Sequence, residues 1–293
     1  MTDTTPMTPP DIARPNAGRR PEDPAAFPAK LPVRELMDMP WWPHAFRDAH
    51  TRYLSWIFSR FGLPDRLLDQ MAARGLIAEG RAGELRIVDL CGGQTGGIWP
   101  ELLTFAATRF PGTRITVVST DLFPDARTPA RDYPNGSRLI FDPVPRRPEE
   151  AIEAHEADLY SVVNGFHHLD TAEKEGLLSA VAEGEGGLLI LETVEPTPGC
   201  AVSVLPAIPA SVVFALTHPR SLTRTQLLLW TVLPILPFLI VIDSLLSCYR
   251  TYRPQRMTEI VRARMPGRAV ETAIDRRSPV RLFATFATRE ARG

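Results

Sequence analysis

RIVDLCGGQTGG, residues 86–97, is the stretch of this sequence that decides the fold. An apolar run ends in Asp89 and gives way to a loop with four glycines, and a helical apolar pattern follows from Trp99 to Thr108. This order predicts a strand, a tight loop and the N-terminus of a helix. Such a turn presents bare backbone N–H groups and the positive end of a helix dipole to a ligand. We therefore expect a nucleotide-like ligand at this loop.

The spacing within the loop separates two nucleotide cofactors. A dinucleotide fingerprint needs G-x-G-x-x-G running directly into the helix, whereas here Cys91 fills the first glycine slot and Asp89 stands two residues before it. This arrangement resembles motif I of the class I S-adenosylmethionine (SAM) methyltransferases. In that family the acid helps to hold the methionine part of SAM and the glycines admit the cofactor. The resemblance gives these roles to Asp89, Gly92, Gly93 and Gly96, with Cys91 in the same loop.

A second acidic residue follows the next β-rich run, RITVVST, residues 114–120. Asp121 lies roughly two dozen residues beyond the glycine loop, where a doubly wound fold places the acid that binds ribose. A carboxylate that accepts from both ribose hydroxyls makes two charge-assisted hydrogen bonds. We therefore assign Asp121 and its neighbour Leu122 to the cofactor site, with a plain loop carboxylate as the alternative for Asp121.

Two histidines follow another strand. The run ADLYSVVNGF, residues 157–166, is almost continuously apolar, as a buried parallel strand is, and it ends in His167-His168-Leu169-Asp170. Many small-molecule methyltransferases of the resembled family end their fourth strand in a His-His-Leu element above the cofactor. The resemblance makes His168 the preferred general base and His167 the reserve, because a neutral imidazole takes up a proton near pH 7. A hydrogen-bonded rim of histidines is the alternative.

Two more positions complete the predicted cofactor site. Asp142 follows the third strand, around residues 139–141, where the resembled family often places an acid on the adenine amino group. Pro143 comes next and equally suits a turn. Asn164, near the end of the strand before the histidines, joins the cofactor residues. A further buried strand is predicted by GGLLIL, residues 186–191.

Composition limits the other classes of function. The chain has 293 residues, a net charge of −1 and no block rich in lysine or arginine, so nothing indicates a nucleic-acid partner. Its three cysteines are far apart and lack metal-ligand spacing, which indicates no metal site and a reducing compartment. Residues 1–29 have no apolar core segment, and we expect a disordered tail rather than a signal peptide, hence a cytoplasmic protein.

Residues 30–84 predict helices ahead of the first strand. Apolar residues recur at helical spacing from Ala45 to Arg60, and a second helix is predicted from Pro64 to Arg74. In the resembled superfamily such helices commonly form a lid over the substrate side. Trp41 and Trp42 lie in a proline-flanked loop before them, where they either line a substrate pocket or anchor the lid.

The segment at about 197–247 predicts an apolar insertion. LLLWTVLPILPFLIVI, residues 227–242, contains no charge, and residues 200–216 are nearly as apolar. A membrane-spanning helix needs about 20 apolar residues. The run at 227–242 is shorter, and Pro234 and Pro237 break helix hydrogen bonds in its middle. We favour an insertion that packs on the domain and covers a pocket for an apolar substrate. A membrane-touching hairpin, with Arg220 and Arg224 at its water-facing turn, is the alternative.

The residues after the insertion resemble a group of bacterial SAM methyltransferase-like proteins. These proteins share the DLC-plus-glycine loop, an FHH element and a hydrophobic insertion followed by an Asp and an L/Y-R-x-Y element. Here the matching residues are Asp243, Arg250 and Tyr252, which either orient a substrate or form a structural ion pair. The last two strands are predicted at 269–275 and 280–287, the antiparallel sixth and seventh strands typical of the methyltransferase fold.

The sequence thus predicts an α/β protein with a Rossmann-like, seven-stranded SAM methyltransferase sheet in a domain spanning 85–293. We expect methyl transfer from SAM to an O, N or C atom of a small, apolar or aromatic molecule. A protein of this fold that binds SAM without methyl transfer is one alternative, and a membrane-associated enzyme with a lipophilic substrate is another. A nicotinamide-dependent reductase is disfavoured, because the chain has only two lysines for a Tyr-x-x-x-Lys pair, Lys30 and Lys174.

Overall fold

A mixed eight-stranded sheet organises the computed structural model, which describes residues 23–28, 30, 33–78, 83–93 and 95–289. The strands are β1 (Gly83–Asp89), β2 (Thr113–Ser119), β3 (Arg131–Asp132), β4 (Arg138–Phe141), β5 (Leu159–Val163), β6 (Gly187–Glu192), β7 (Arg268–Asp275) and β8 (Leu282–Arg289). The α-helices are α1 (His44–Arg60), α2 (Leu63–Ala73), α3 (Trp99–Arg109), α4 (Pro148–Ala154), α5 (Thr171–Glu183), α6 (Pro198–Ser203), α7 (Ala207–Thr217), α8 (Arg224–Thr231), α9 (Ile235–Arg250) and α10 (Pro254–Arg264). Short 3-10 turns cover Leu36–Asp38, Phe166–His168 and Pro219–Ser221.

The direction in which the sheet grows reverses at β1. The strand order is β3-β4-β2-β1-β5-β6-β8-β7. The five neighbouring strands β4, β2, β1, β5 and β6 are parallel, and β8 lies antiparallel between β6 and β7. The chain builds from β1 through β2 to β4 and then crosses back to place β5 on the other side of β1. This reversal leaves a crevice at the carboxyl ends of β1 and β5, where doubly wound sheets bind ligands.

The apolar runs singled out in the sequence form the strands. β6 is buried along its whole length and β5 over most of it, because helices cover both faces of the parallel part of the sheet. The sheet has one strand more than the seven predicted. The extra strand, β3, pairs two exposed polar residues with the edge of β4, so no apolar alternation marks it in the sequence.

Two apolar cores lie on the two faces of the sheet. One contains side chains of α2 and α3, among them Leu67 and Leu102. The other contains side chains of α5 and α10, among them Leu177 and Ile260. Of the two helices that follow the N-terminal segment, α2 therefore packs on the sheet, whereas α1 borders the cavity described below. Most of the predicted tail, residues 1–22 and 29, lies outside the described residues.

The apolar insertion folds as α6 to α9 against α1. A third core joins the two parts through Tyr53, Phe214, Trp230 and Ile240. The inner side of the insertion packs against α1 in this core, as the favoured interpretation of the sequence expects. On the outer side, large apolar side chains stay exposed.

Both prolines of the second apolar run occupy places that a helix tolerates. Pro234 lies at the break between α8 and α9, whose axes differ by 74°. Pro237 is buried in the first turn of α9, where its missing N–H costs no intrahelical hydrogen bond. The expected bend between short helices is therefore present at Pro234 but not at Pro237.

Candidate active site

A cavity of about 330 Å³ opens at the carboxyl ends of β1, β2, β5 and β6. Its walls come from the glycine loop, from α1 and the segment before it, and from α9. Most of the residues that the sequence predicted for a site line this one cavity: Asp89, Cys91, Gly92, Gly93, Asp121, Leu122, Asn164, His168, Asp243 and Arg250.

The glycine loop is held by two close contacts. A Cβ atom on Gly92 would lie 2.0 Å from the Ser119 hydroxyl oxygen and 2.7 Å from a carboxylate oxygen of Asp89, so no larger residue fits there. Gly93 has φ +61° and donates its backbone N–H to Asp121 Oδ2 over 3.0 Å. Glycine adopts this left-handed conformation without steric cost. The loop thus ties the end of β1 to the residue that follows β2.

Asp89 is a buried carboxylate without a cationic partner among the described residues. It is 1% exposed, and its Oδ1 accepts from the Ser161 hydroxyl over 2.9 Å. Burial raises the pKa of Asp89 to about 7, and the Ser161 hydrogen bond offsets only part of this effect. A buried charge that lacks a counter-ion is unfavourable, so this position suits a ligand that carries positive charge.

Asp121 closes the adjoining turn with both of its oxygens. Oδ2 accepts from Gly93 N–H, and Oδ1 accepts from Phe123 N–H over 2.7 Å. Burial raises the pKa of Asp121, and these two N–H groups oppose that shift. Each carboxylate oxygen keeps a second lone pair for a ligand hydroxyl in the cavity. Leu122 beside it is half exposed.

Asn164 is the residue with positive φ, other than glycine, in the described chain, at φ +51°. Its Oδ1 accepts from the Thr193 hydroxyl over 2.6 Å, which joins the ends of β5 and β6. Asparagine tolerates this region better than most residues, and such conformations concentrate at ligand sites. The next residue, Gly165, packs so closely on Cys91 that a Cβ atom would lie 2.6 Å from the Cys91 Cβ.

The two histidines differ in position. His167 is buried beneath the cavity rather than in its wall, and its Nδ1 lies 2.7 Å from Glu192. His168 lines the cavity, and its Nδ1 lies 2.8 Å from Asp38 and 3.7 Å from Glu35. The structure therefore gives His168 access to a ligand and gives His167 a structural role. His167, the predicted reserve base, is not in contact with the cavity.

Charge around His168 corrects the predicted chemistry. Burial would lower the pKa of its imidazole, but Glu35 and Asp38 outweigh that effect and raise the pKa to about 10. The side chain is then an imidazolium near pH 7 and holds no free lone pair for a proton. This charge state argues against the neutral imidazole base expected at this position, because two carboxylates from the N-terminal segment face His168.

Arg250 and Asp243 fasten the same corner from α9. Arg250 Nε donates to the His167 carbonyl over 2.7 Å, its Nη2 to the His168 carbonyl over 2.6 Å, and its Nη1 lies 3.3 Å from Asp38. Asp243 accepts from Leu36 N–H over 2.9 Å, and burial raises its pKa to about 6. Of the two roles predicted for Arg250, the structural ion pair is present, on a residue that also lines the cavity.

Glu35, His167 and His168 each offer an atom within 4.8 Å of the others, which is the spacing of a metal site. Oε1 of Glu35 and Nε2 of His167 are buried, lie 3.6 Å apart and lack a hydrogen-bond partner. However, Nδ1 of His168 already forms a hydrogen bond with Asp38. The pKa of His168 is raised, so a proton on this imidazole supplies the positive charge that a metal ion would otherwise supply. We therefore interpret this cluster as an ion-pair network.

Two residues predicted for the cofactor lie outside the cavity. Asp142 accepts from the Val144 N–H, and its Oδ2 lies 2.7 Å from Arg146 and 2.8 Å from His155. These partners leave the Asp142 carboxylate engaged within a local turn. A turn at Pro143 was the alternative to adenine binding in the sequence analysis. Gly96 packs against β4 instead, where a Cβ atom would lie 2.8 Å from the Leu139 side chain.

Three residues predicted for the substrate also lie elsewhere. Trp41 is 68% exposed and packs edge-on against Trp42, which in turn contacts Phe46, so these two tryptophans anchor the loop before α1. Tyr252 is buried in the core beside α10 and lies under the Lys174 ammonium, 5.3 Å from its ring centre. None of the three borders the cavity.

Sequence reasoning missed several ionisable residues of the cavity wall, among them Glu35, Asp38, Arg47 and His50. Burial, followed by the charge of His168, lowers the pKa of His50 to about 4, so this imidazole is neutral near pH 7. A signal for His50 existed, because polar residues share one stripe of α1 with apolar ones at helical spacing. Asp38 lies three residues before Trp41. Only the two tryptophans of this segment were considered in the sequence analysis as candidate substrate residues.

Replacing Gly92 with alanine tests the loop geometry. The new methyl group collides with Ser119 and Asp89, so we expect Gly92→Ala to lower the free energy of unfolding by about 1–3 kcal/mol in chemical denaturation. The control is Gly176→Ala in the middle of α5, where nothing lies within 4 Å of the added atom; it is expected to stabilise the protein by about 0.5–1 kcal/mol. Equal effects of the two substitutions would contradict the close approach at Gly92.

A scan against protein-family models and a search of curated proteins each found no match. Among solved structures, the chain is similar to an O-methyltransferase family protein from Burkholderia thailandensis, with 16% identity over 71% of this chain and 52% of that one, and a TM-score of 0.36. It is similar to the mitomycin 7-O-methyltransferase MmcR (14%, 83% and 54%, 0.33) and to the SAM-dependent methyltransferase SibL (13%, 70% and 51%, 0.35).

The chain spans about half the length of these three proteins. A parallel sheet that reverses at β1, with β8 antiparallel between β6 and β7, is the arrangement expected from the sequence. The chain has the fold of the class I SAM-dependent methyltransferases.

Proposed function

We propose that the protein transfers a methyl group from SAM to a small molecule bound in the same cavity. The observation that carries this proposal is the convergence of Asp89, the Gly92-Gly93 turn and Asp121 on one cavity at the reversal of the sheet. These groups come from separate strands, and a chance rim of acids would not share a wall with a tight glycine loop. Asn164 borders the same cavity from β5.

The residues present fit the cofactor. Asp89 offers a buried carboxylate that lacks a cation, which suits the ammonium of the methionine part, and Asp121 keeps lone pairs for ribose hydroxyls. When bound, SAM supplies an electrophilic methyl group on its sulfonium. The protein then has to align the acceptor and exclude water, because the leaving group needs no further activation.

The acceptor side of the cavity combines an apolar wall with one charged corner. Leu54, Phe58 and Val163 supply apolar surface to the cavity wall. His168 supplies the charged group, close to the end of α9. A small molecule with an apolar or aromatic body and a polar atom at one end fits this division. Near pH 7 the His168 imidazolium donates to that polar atom and orients it, and it favours an acceptor that binds as an anion.

Binding of SAM without methyl transfer is the second candidate, favoured by the pairing of His168, the predicted base, with Asp38 and Glu35, which raises its pKa to about 10. A thermal-shift experiment with SAM, its demethylated product and NAD in parallel tests the cofactor. SAM and its product are expected to stabilise the protein and NAD is not. Stabilisation by NAD alone would contradict the proposal.

Replacing Asp121 tests the ribose assignment. We expect Asp121→Ala to weaken SAM binding by roughly 1.5–3 kcal/mol, the range for hydrogen bonds to charged groups, as measured by calorimetry. Asp121→Asn retains one carbonyl acceptor and is expected to lose less. The matched control is Asp125→Ala, whose carboxylate pairs with Arg127 outside this cavity. Unchanged SAM affinity in a folded Asp121→Ala protein would retire the assignment.

The pH dependence of methyl transfer tests the role of His168 once an acceptor is found. The imidazolium is the active form, so its contribution is complete below a pKa of about 10 and is lost as the pH rises through that value. Between pH 6 and 8 we expect no rise in kcat that depends on His168, and His168→Gln is expected to lower kcat by about 10-fold or more across this range. A rise from pH 6 to 8 that disappears in His168→Gln would identify a general base instead.

A further inference from the structure

α9 differs from an ordinary surface helix because it exposes a stripe of apolar residues and buries polar residues among its apolar ones. Its buried side includes Asp243, Ser247 and Arg250, which line the cavity or fasten its corner. Its exposed side carries apolar residues at spacings of three and four, which places them on one stripe: Ile235, Phe238, Ile242 and Leu245. Phe238 is 54% exposed and Ile235 is 50% exposed.

The neighbouring helices extend this surface. α7 contacts both α8 and α9, and α6 contacts α9. We call their exposed large apolar side chains, together with the stripe on α9, the apolar face; it comprises Val202, Leu205, Val213, Leu216, Leu228, Val232, Leu233, Ile235, Phe238, Ile242 and Leu245. Most of the exposed large apolar side chains in the described part of the chain belong to it. A surface of this kind indicates an interaction site.

Charge distinguishes the partner that fits this face. From residue 196 to residue 242 the sequence contains no aspartate or glutamate, and its basic side chains are His218, Arg220 and Arg224. All three are exposed, in and beside the turn between α7 and α8. Apolar side chains bordered by arginines without acidic neighbours match the surface of a bilayer with anionic headgroups. We propose that the apolar face docks this protein on an anionic lipid membrane.

The geometry favours helices that lie on the membrane surface. α6 and α7 together form the one stretch in the described residues that is long and apolar enough to span a membrane, and 22% of it is buried inside the protein. α8 and α9 reach that criterion only as a pair bent by 74°. However, α9 carries a buried carboxylate and guanidinium toward the cavity, and α7 and α8 pack with it on α1 through the third core. Insertion of the outer side chains to about 5–10 Å keeps this packing intact.

This docking brings the cavity to within one helix of the lipid. The inner side of α9 lines the cavity while its outer side belongs to the apolar face. An acceptor dissolved in the membrane would have a short path to the site. That consequence rests on the proposed function, whereas the docking itself requires no reaction and can be measured without SAM.

Flotation with lipid vesicles tests the docking. The full chain is incubated with vesicles of phosphatidylcholine alone or with about 30 mol% phosphatidylglycerol, and the vesicle-bound fraction is measured. We expect binding to the anionic vesicles. The double variant Phe238→Glu/Ile242→Glu is expected to lose at least about 10-fold in partitioning, because it places two charges in the membrane interface. Arg220→Gln/Arg224→Gln, which removes both charges, is expected to bind anionic vesicles more weakly at low salt and to become nearly insensitive to added salt.

Controls separate docking from other causes of lost binding. Val144→Glu changes an exposed apolar residue outside the face, 45% exposed, and is expected to bind vesicles like the unmodified chain. Thermal unfolding of each variant shows that it remains folded, as expected for changes at exposed positions. Failure of the folded, unmodified chain to float with either vesicle overturns the proposal. So does a concentration-dependent dimer in sedimentation analysis that Phe238→Glu/Ile242→Glu dissociates, since the face would then join two copies of the chain.

Discussion

The arrangement of the site depends on one buried carboxylate at the end of β1. Asp89 is almost fully buried and pairs with a hydroxyl rather than a cation. Burial raises its pKa to about 7, so without a cationic partner about half of this group is protonated near pH 7. A cationic ligand would stabilise the ionised form, and the free energy of that change contributes to binding. The close packing of Gly92 on Asp89 and Ser119 then fixes the loop that admits the ligand.

A second constraint links the segment before α1 to α9 and to the turn after β5, beside the cavity. Asp38, in the segment before α1, contacts His168 after β5 and Arg250 at the end of α9. Asp243 holds the same segment through Leu36 N–H. These contacts join elements far apart in sequence, so the N-terminal segment and the insertion form the acceptor side of the site together. They also make His168 an imidazolium, which changes the chemistry available at this position.

The sequence was sufficient where function follows from local pattern. Asp89, Asp121 and Asn164 could be placed at this edge because each lies at or just after the end of a buried parallel strand, and the carboxyl ends of such strands meet at one edge of the sheet. The glycine loop was recognisable for the same reason. Asp142 occupied an equivalent position, yet local partners, Arg146 and His155, occupy its carboxylate. Strand position alone cannot distinguish these two outcomes.

Long-range contacts account for what the sequence did not reveal. Asp38 meets His168 across 130 residues, and no local pattern encodes such a pairing. The composition of the sequence revealed the apolar insertion. Which of its residues face outward depends on the orientation of α9, which places Asp243 and Arg250 toward the cavity. β3 was missed because two exposed polar residues have no periodic signal.

The central claim is that Asp89 receives a cationic part of SAM, and the pH dependence of SAM affinity tests it most directly. Below its pKa of about 7 the carboxyl of the empty site is protonated, so the affinity measured by calorimetry is expected to rise as the pH increases from 5 to 7. In Asp89→Asn, which has no titrating group at this position, SAM binding is expected to be weaker and to vary less with pH in this range than in the unmodified protein. An unmodified protein whose SAM affinity stays constant from pH 5 to 7, or an Asp89→Asn variant that binds SAM equally well, would contradict the account.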